Sequence, residues 1–255
     1  LPAPVSMATA VATAAAATPG APESAGSLAL IPATVPEPPD VVCQRDDVIS
    51  TMIGHLLGFL GTGAVSLSSV KSKSKRAGAG TGMSKLASHG QGGAGKTTMA
   101  SMVVRHEMVR RAFGRIAWLS VGQTPNIMDM QRTLYIQLTG RAMDDRPGAT
   151  AELQLKELQA VCLGQRWLVV LDDVWDATHE KLLNCIDTTR SASRLFVTTR
   201  IRGLLKGCDE VALDLLSRDE AIDLLLRTGG VEYAPDDAAH AAAERVTALC
   251  GNLPL

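Results

Sequence analysis

Residues 90–98 read Gly-Gln-Gly-Gly-Ala-Gly-Lys-Thr-Thr and fit G-x-x-x-x-G-K-[ST], the pattern of a phosphate-binding loop. Glycines let backbone N–H groups turn toward phosphate oxygens because no Cβ blocks the approach. A helix that begins near Lys96 would point its positive dipole end at the same anion. We expect Lys96 to reach the β- and γ-phosphates and the Thr97 hydroxyl to ligate Mg²⁺. The motif is short, and a flexible glycine loop could match it by chance.

The composition limits the size and the class of the protein. A chain of 255 residues with 46% hydrophobic content can build one good-sized core, or one core and part of another. The net charge of −1 and the aromatic content of 3% argue against a nucleic-acid partner. Five scattered cysteines without a C-x-x-C pair predict neither a disulfide framework nor a zinc site, which favours a cytoplasmic location.

The first 82 residues read as regions outside the main fold. Residues 1–40 hold eight of the twelve prolines and no Lys or Arg, so we predict a disordered low-complexity tail; a transit peptide is the alternative. Residues 48–70 carry no charged side chain, which allows a membrane span, but Ser, Thr and Gly dilute the stretch. For 41–82 we therefore predict a helix over about Asp46–Leu57 and a Gly/Ser/Lys linker.

Strands and helices alternate between residues 83 and 213, which indicates a parallel sheet with helical crossovers. The apolar run Trp167–Leu171 is typical of a strand that is covered on both faces. We predict strands over 83–89, 115–121, 167–171 and 195–198, an edge strand over 210–213, helices over 96–111 and 151–163, and a helix that starts with Thr124 as its N-cap and Pro125 at its first position.

The pattern becomes purely helical after Leu215. Ser217 and Glu220 form a capping box, and Asp236 or Asp237 can cap a helix that ends near Cys250. We therefore predict that 83–213 is a phosphate-loop nucleotide-binding domain and that 214–255 is a second, all-helical subdomain. The chain stops directly after a Gly-x-x-Pro turn, so we interpret this subdomain as truncated.

A pair of carboxylates follows a buried strand about 80 residues after the loop. Residues 167–175 read Trp-Leu-Val-Val-Leu-Asp-Asp-Val-Trp, which would place Asp172 at the strand end, where it can hold Mg²⁺ through water. Asp173 can orient or activate an attacking water, and strand alternation predicts that the two side chains point in different directions. The simpler alternative is an acidic turn after a buried strand.

A cation ends the next predicted strand. Residues 194–200 read Arg-Leu-Phe-Val-Thr-Thr-Arg, so Arg200 would lie beside the other strand ends and could contact a γ-phosphate. An exposed loop arginine is the alternative. No Asn-Lys-x-Asp sequence, the guanine-reading motif, follows any strand, so adenine is the expected base.

These residues resemble the NB-ARC family, signalling ATPases of the STAND class that occur in plant disease-resistance proteins and apoptosome-forming adaptors. The resemblance covers roughly residues 41–255. The loop at 90–98 comes first, and Leu-Asp-Asp-Val-Trp at 171–175 is similar to the family's kinase-2 motif. Phe-Val-Thr-Thr-Arg at 196–200 resembles the first sensor, and Gly-Asn-Leu-Pro-Leu at 251–255 resembles the Gly-Leu-Pro-Leu motif.

The resemblance implies an α/β fold: a P-loop NTPase parallel sheet sandwiched by helices, followed by the start of an all-helical, ARC1-like subdomain. It implies ADP or ATP with Mg²⁺ as ligands. Catalytic roles would fall to Lys96, Asp173 and Arg200, and the metal to Thr97 and Asp172. The remaining nucleotide contacts would come from Arg45, Gly90, Gly92, Gly93, Ala94, Gly95, Lys96, Thr97, Thr98 and Pro254, whose ring would pack on the adenine.

The family's cycle implies a signalling switch that is closed with ADP, opens with ATP for self-association or contact with other signalling proteins, and resets by slow hydrolysis. The expected setting is a defence response in the cytoplasm, without a nucleic-acid or membrane partner. Three alternatives remain: a scaffold that holds ADP without turnover, a metabolic ATPase or kinase, and a membrane-anchored receptor.

Three departures from the family's pattern stand out. The segment 83–89 lacks the Val and Ile residues that the family has in its first strand. Gln44 and Asn252 replace a glycine and a leucine of two family motifs. The winged helix with the nucleotide-sensing histidine and the usual repeats are absent from the sequence.

Overall fold

The computed structural model describes residues 27–43, 45–58, 85–144, 146–186, 192–231 and 238–254. Within them, a parallel sheet has the strand order β2–β3–β4–β1–β5. Its strands are β1 (Lys85–His89), β2 (Arg115–Gly122), β3 (Trp167–Val174), β4 (Arg194–Thr199) and β5 (Asp209–Ala212). The helices are α1 (Asp46–Leu57), α2 (Lys96–Arg105), α3 (Glu107–Ala112), α4 (Ile127–Thr139), α5 (Ala151–Cys162), α6 (Ala177–Leu183), α7 (Arg218–Thr228) and α8 (Ala238–Leu249).

Helices cover the sheet on both faces. One core joins α1, α2 and α3 to one face, and a second core joins α4, α5 and α6 to the other. Successive residues of β3 alternate between them, because Leu168 and Val170 belong to the first core and Val169 and Leu171 to the second. The predicted α/β class and the doubly covered strand are therefore confirmed.

The strand before the loop forms despite its weak sequence signal. β1 lies between β4 and β5 and pairs with both, and Leu86, Ala87 and Ser88 are buried. Met83 and Ser84 lie outside the described residues. The small side chains of Ala87 and Ser88 are accommodated because pairing with two neighbours, and not β-propensity, determines the strand.

Two predicted helix boundaries were wrong. The helix predicted over 96–111 is divided into α2 and α3 at His106, whose backbone is extended with φ −64° and ψ 134°. The next helix begins at Ile127 because the side chain of Asn126, and not Thr124, caps it by accepting a bond from the N–H of Asp129.

The short helix α6 was not predicted. Its N-cap is Asp176, whose carboxylate accepts a bond from the N–H of Thr178. The predicted capping box of α7 is confirmed, because Ser217 and Glu220 exchange both side-chain bonds with each other's backbone. Asp236 and Asp237, the predicted caps of α8, lie outside the described residues.

The predicted disorder of the tail was wrong for residues 27–40. In this stretch Ala29 and Val35 are buried in the first core. The N–H of Ala29 donates to the carbonyl of Arg110 at 2.9 Å, and the guanidinium of Arg105 donates to the carbonyls of Val35 and Pro36. This proline-rich segment is thus held against α2 and α3 by packing and by hydrogen bonds. Residues 1–26 lie outside the described residues.

The helix predicted over Asp46–Leu57 is confirmed as α1, which packs on α2, α3 and the strands β1 and β5. The predicted linker and its basic run fall almost wholly in 59–84, outside the described residues. Among the residues that the structure does describe, no helix is both long and apolar enough to cross a membrane. The predicted domain boundaries stay predictions.

Candidate phosphate-binding site

A cavity of about 480 Å³ opens at the carboxyl edge of the sheet. Parallel strands all end at this edge, so side chains at strand ends far apart in sequence meet there. The residues around the cavity come from the loop, from the ends of β2, β3 and β4, and from the segment after α8; they are Gly93, Gly95, Lys96, Thr97, Thr98, Ser120, Gly122, Asp172, Asp173, Thr198, Arg200 and Pro254.

The loop between β1 and α2 depends on glycine at particular places. Gly93 and Gly95 have φ values of +79° and +86°, in the left-handed region that other residues rarely adopt. A Cβ on Gly90 would lie 2.5 Å from the carbonyl oxygen of Leu213. Gly95 is the N-cap of α2 and has no side chain that could occupy the N-terminal N–H groups of the helix. The first three residues of this helix, Lys96, Thr97 and Thr98, line the cavity.

Lys96 is folded back over its own loop. Its Nζ donates to the carbonyl oxygens of Gly90 and Gln91, each at 2.8 Å, and the residue is only 7% exposed. Burial lowers the pKa of Lys96, and the charge of Arg200 lowers it further, while Asp173 and Asp172 act in the opposite direction. A buried ammonium whose near partners are neutral carbonyls is suited to receive an anion.

Asp172 and Thr97 meet as expected for a metal site. The Thr97 hydroxyl lies 3.0 Å from both carboxylate oxygens of Asp172. Burial raises the pKa of Asp172, and hydrogen bonds from Thr198 and Thr97 limit the rise. A carboxylate beside a hydroxyl is the kind of oxygen donor set that Mg²⁺ accepts.

Asp173 does not follow strand alternation. Its φ of +57° lies in the left-handed region, and the pairing of β3 with β4 is interrupted between Leu171 and Val174. Both Asp172 and Asp173 line the cavity, and their carboxylates bond different partners. The irregular backbone at Asp173 is a local effect, which a period-2 pattern does not contain.

The carboxylate of Asp173 is bonded on both oxygens. Arg200 Nε donates to Oδ1 at 3.2 Å, and Trp175 Nε1 donates to Oδ2 at 3.0 Å. The guanidinium of Arg200 also stacks over the Trp175 ring, 4.8 Å from its centroid. Arg200 reaches the loop as well, since a Cβ on Gly92 would lie 2.8 Å from its Nη1.

The predicted nucleotide contacts divide into three groups. Pro254 lines the cavity, and its ring lies 3.8 Å from the position of a Cβ on Gly95. Gly90, Gly92 and Ala94 belong to the loop but are not among the cavity-lining residues given above. Arg45 does not line the cavity either: its guanidinium donates to the carbonyls of Asp214 and Leu215, at 2.7 and 3.0 Å.

Three cavity residues were missed in the sequence: Ser120, Gly122 and Thr198. Ser120 and Gly122 are among the last three residues of β2, and Thr198 lies two residues before Arg200. A systematic reading of every strand end at this edge would have found them. Trp175 was noted only as part of a motif, although its indole binds Asp173 directly.

Residues 71–232, more than half of the chain, match the NB-ARC domain. The chain belongs to the NB-ARC family. Its relatives include a putative late blight resistance protein homolog of Solanum demissum, 28% identical over 179 residues, and the disease resistance protein RPP8 of Arabidopsis thaliana, 29% identical over 175 residues. These matches cover 68% and 65% of this chain but only 14% and 19% of the relatives. NB-ARC membership implies a nucleotide-binding module of the P-loop class.

Solved structures share the fold. A signal transduction ATPase with numerous domains and a tetratricopeptide repeat sensor from Pyrococcus horikoshii has a TM-score of 0.51 at 15% identity, over 86% of this chain and 30% of that one. Cdc6p of Pyrobaculum aerophilum has a TM-score of 0.51 at 16% identity, over 85% and 59%. Likeness at this identity establishes the fold alone.

Proposed function

We propose that this NB-ARC domain binds ADP and ATP with Mg²⁺ at the phosphate loop and acts as a nucleotide-dependent signalling switch that hydrolyses ATP slowly. The observation that carries the proposal is the meeting of Lys96 and Thr97, at the start of α2, with Asp172 and Arg200 from two strand ends in one cavity. We assign to them the roles of the cation, the metal ligands and the charge sensor that phosphoryl transfer requires.

The loop supports phosphate binding by its shape. Gly90 leaves no room for a side chain, and Gly93 and Gly95 hold left-handed conformations of the kind that let backbone N–H groups surround an anion. Lys96 can exchange two neutral carbonyl partners for charged phosphate oxygens, which form stronger, charge-assisted bonds. Thr97 and Asp172 would hold the metal, and Pro254 would pack against the base.

The test is the affinity for ADP measured by calorimetry. Lys96→Ala removes the cation and is expected to abolish binding, because the phosphates lose their only positively charged partner on the loop. Lys156→Ala, on the exposed surface of α5, is the matched control and is expected to keep the parental affinity. Unchanged ADP affinity in a folded Lys96→Ala protein would refute the assignment.

Hydrolysis is tested separately by phosphate release. Asp172→Ala is expected to weaken Mg²⁺-dependent turnover much more than ADP binding without metal, since Asp172 is assigned to the metal. Equal turnover in the variant and the parent would contradict this role.

One observation favours the alternative of a scaffold that holds ADP without turnover. Both carboxylate oxygens of Asp173 are already bonded, to Arg200 and to Trp175, so this arrangement leaves Asp173 poorly placed to activate a water. Single-turnover measurements with radiolabelled ATP distinguish the two functions: a scaffold binds the nucleotide and releases no phosphate within the lifetime of the sample.

The proposal that the domain acts as a switch is supported by its membership of the NB-ARC family. We infer that ADP and ATP favour different arrangements of the sheet domain and the helices after it, to the extent that each nucleotide binds one arrangement more tightly. Self-association, contacts with other signalling proteins, a role in plant defence and a cytoplasmic location belong to the same proposal. Light scattering of the protein with ADP and with a non-hydrolysable ATP analogue tests the self-association.

A further inference from the structure

Thr198 joins the two carboxylates of the cavity through one hydroxyl group. The residue is the last but one of β4 and is 1% exposed. Its Oγ1 donates to Oδ1 of Asp172 at 2.6 Å and accepts a bond from the backbone N–H of Asp173 at 2.9 Å. The hydroxyl thus uses its single hydrogen on one aspartate and a lone pair on the other.

The bond to Asp173 replaces a missing contact of the sheet. The β3–β4 pairing runs regularly to Leu171 and resumes at Val174, so Asp173 lies where the ladder is irregular. The left-handed backbone of Asp173 is strained for a residue that has a side chain, and it persists only where the surrounding structure holds it. The Thr198 hydroxyl satisfies the N–H of this residue and so supports the conformation that turns its carboxylate toward Arg200.

The bond to Asp172 fixes the neighbouring side chain. Asp172 is 4% exposed and accepts bonds from Thr97 and Thr198, which approach from the loop helix and from β4. Two donors from different elements restrict its rotamer more than either alone. Asp172 is therefore held in place before any ligand arrives, a condition that catalytic sites generally require.

We propose that Thr198 is a positioning residue that sets Asp172 for Mg²⁺-dependent ATP hydrolysis. Its second hydrogen bond holds Asp173 in the pair with Arg200. The inference rests on the proposed function and adds a residue to it. Thr198 acts through Asp172 and Asp173 and contributes neither a nucleophile nor a proton to the reaction.

The variants separate the hydroxyl group from the shape of the side chain. Thr198→Val keeps the shape and removes both hydrogen bonds, and Thr198→Ser restores the hydroxyl. Thr199→Val is the matched control, because Thr199 is also 1% exposed. Within the described part of the chain its hydroxyl bonds only backbone groups, the carbonyl of Val174 and the N–H of Ile201.

Three measurements on the full chain test the inference: ADP affinity with EDTA, the increase of that affinity on adding Mg²⁺, and kcat and KM for phosphate release. We expect Thr198→Val to bind ADP in EDTA within threefold of the parent, to lose most of the increase due to Mg²⁺, and to lose at least tenfold in kcat. We expect Thr198→Ser to recover to within threefold and Thr199→Val to keep the parental kcat.

Hydrogen exchange of the Asp173 amide supplies a readout without nucleotide. Exchange in Thr198→Val is expected to be at least tenfold faster than in Thr199→Val, because only the first variant removes the acceptor of this N–H. A parental kcat and a parental effect of Mg²⁺ in Thr198→Val would overturn the inference and leave the proposed function standing. A parent chain that does not bind ADP would overturn both.

Discussion

Gly90 and Gly92 form a matched pair that tests the geometry of the phosphate loop. Neither has a positive φ, so alanine at either position meets no backbone strain. The two differ in what the new Cβ would contact. At Gly90 it would lie 2.5 Å from the backbone oxygen of Leu213, and at Gly92 it would lie 2.8 Å from Nη1 of Arg200, the far end of a flexible side chain.

The backbone near Gly90 cannot move away cheaply. The N–H of Leu213 donates to the carbonyl of His89 at 2.8 Å, and the Leu213 side chain is 3% exposed within the first core. Overpacking of this kind costs about 1–3 kcal/mol. Replacing glycine by alanine restricts the unfolded chain and returns about 0.4–1 kcal/mol.

We therefore expect Gly90→Ala to lower the free energy of unfolding by about 1–2 kcal/mol. In a chain of this size that corresponds to roughly 2–8 °C in Tm. Gly92→Ala only displaces a guanidinium that is 46% exposed at its side chain, and we expect its stability to stay within about 0.5 kcal/mol of the parent. Both values are to be measured by urea unfolding without nucleotide.

The comparison between the two variants decides the result. Equal stability of Gly90→Ala and the parent would show that the close approach of the loop to Leu213 is wrong. Equal losses in both variants would show that glycine is needed in this loop for a reason other than these contacts.

Two further predictions concern buried charges. Burial raises the pKa of Asp172, so its ionisation costs stability at high pH, and this cost disappears as the pH falls below the ordinary value of 3.8. Asp172→Asn should therefore stabilise the protein in EDTA by about 0.5–2 kcal/mol at pH 7 and by less toward pH 4; a gain that grows on acidification would contradict this. Lys85→Met should cost about 2–4 kcal/mol because it leaves Glu180, 2.9 Å from the ammonium and 6% exposed, without a cation, whereas Lys85→Met with Glu180→Leu should be nearly neutral in urea unfolding.

Much of the site could be predicted because parallel strands bring their carboxyl ends together. Once the loop at 90–98 was paired with a strand that ends in Asp172, the meeting of Thr97 and Asp172, the proposed metal ligands, followed from topology. The position of Arg200 followed from the next strand. The spacing of apolar residues identified the strands. The sequence signal of β1 was weak, because this strand is determined by pairing with two neighbours, which is a property of the sheet and not of the segment.

Other features depend on contacts that a local pattern does not contain. The prolines of the tail led to a prediction of disorder for residues 27–40. In the structure Ala29 and Val35 instead pack in the first core, beside α2 and α3. The helix α6 is too short to show a clear helical period of apolar residues. The sequence feature that indicates this helix is its N-cap, Asp176. Composition and periodicity average over a window, while these elements depend on single residues.

The state of the charged groups is the hardest part to infer from sequence. Motif spacing identifies Lys96, Asp172, Asp173 and Arg200 as members of one site, but it does not say which of them pair with each other. In the structure Arg200 bonds Asp173 and Lys96 bonds carbonyls of its own loop. If Arg200 contacts a γ-phosphate, as we propose, the phosphate competes with Asp173 for the guanidinium. The strength of the Arg200–Asp173 ion pair would then limit how far the affinity for ATP exceeds the affinity for ADP.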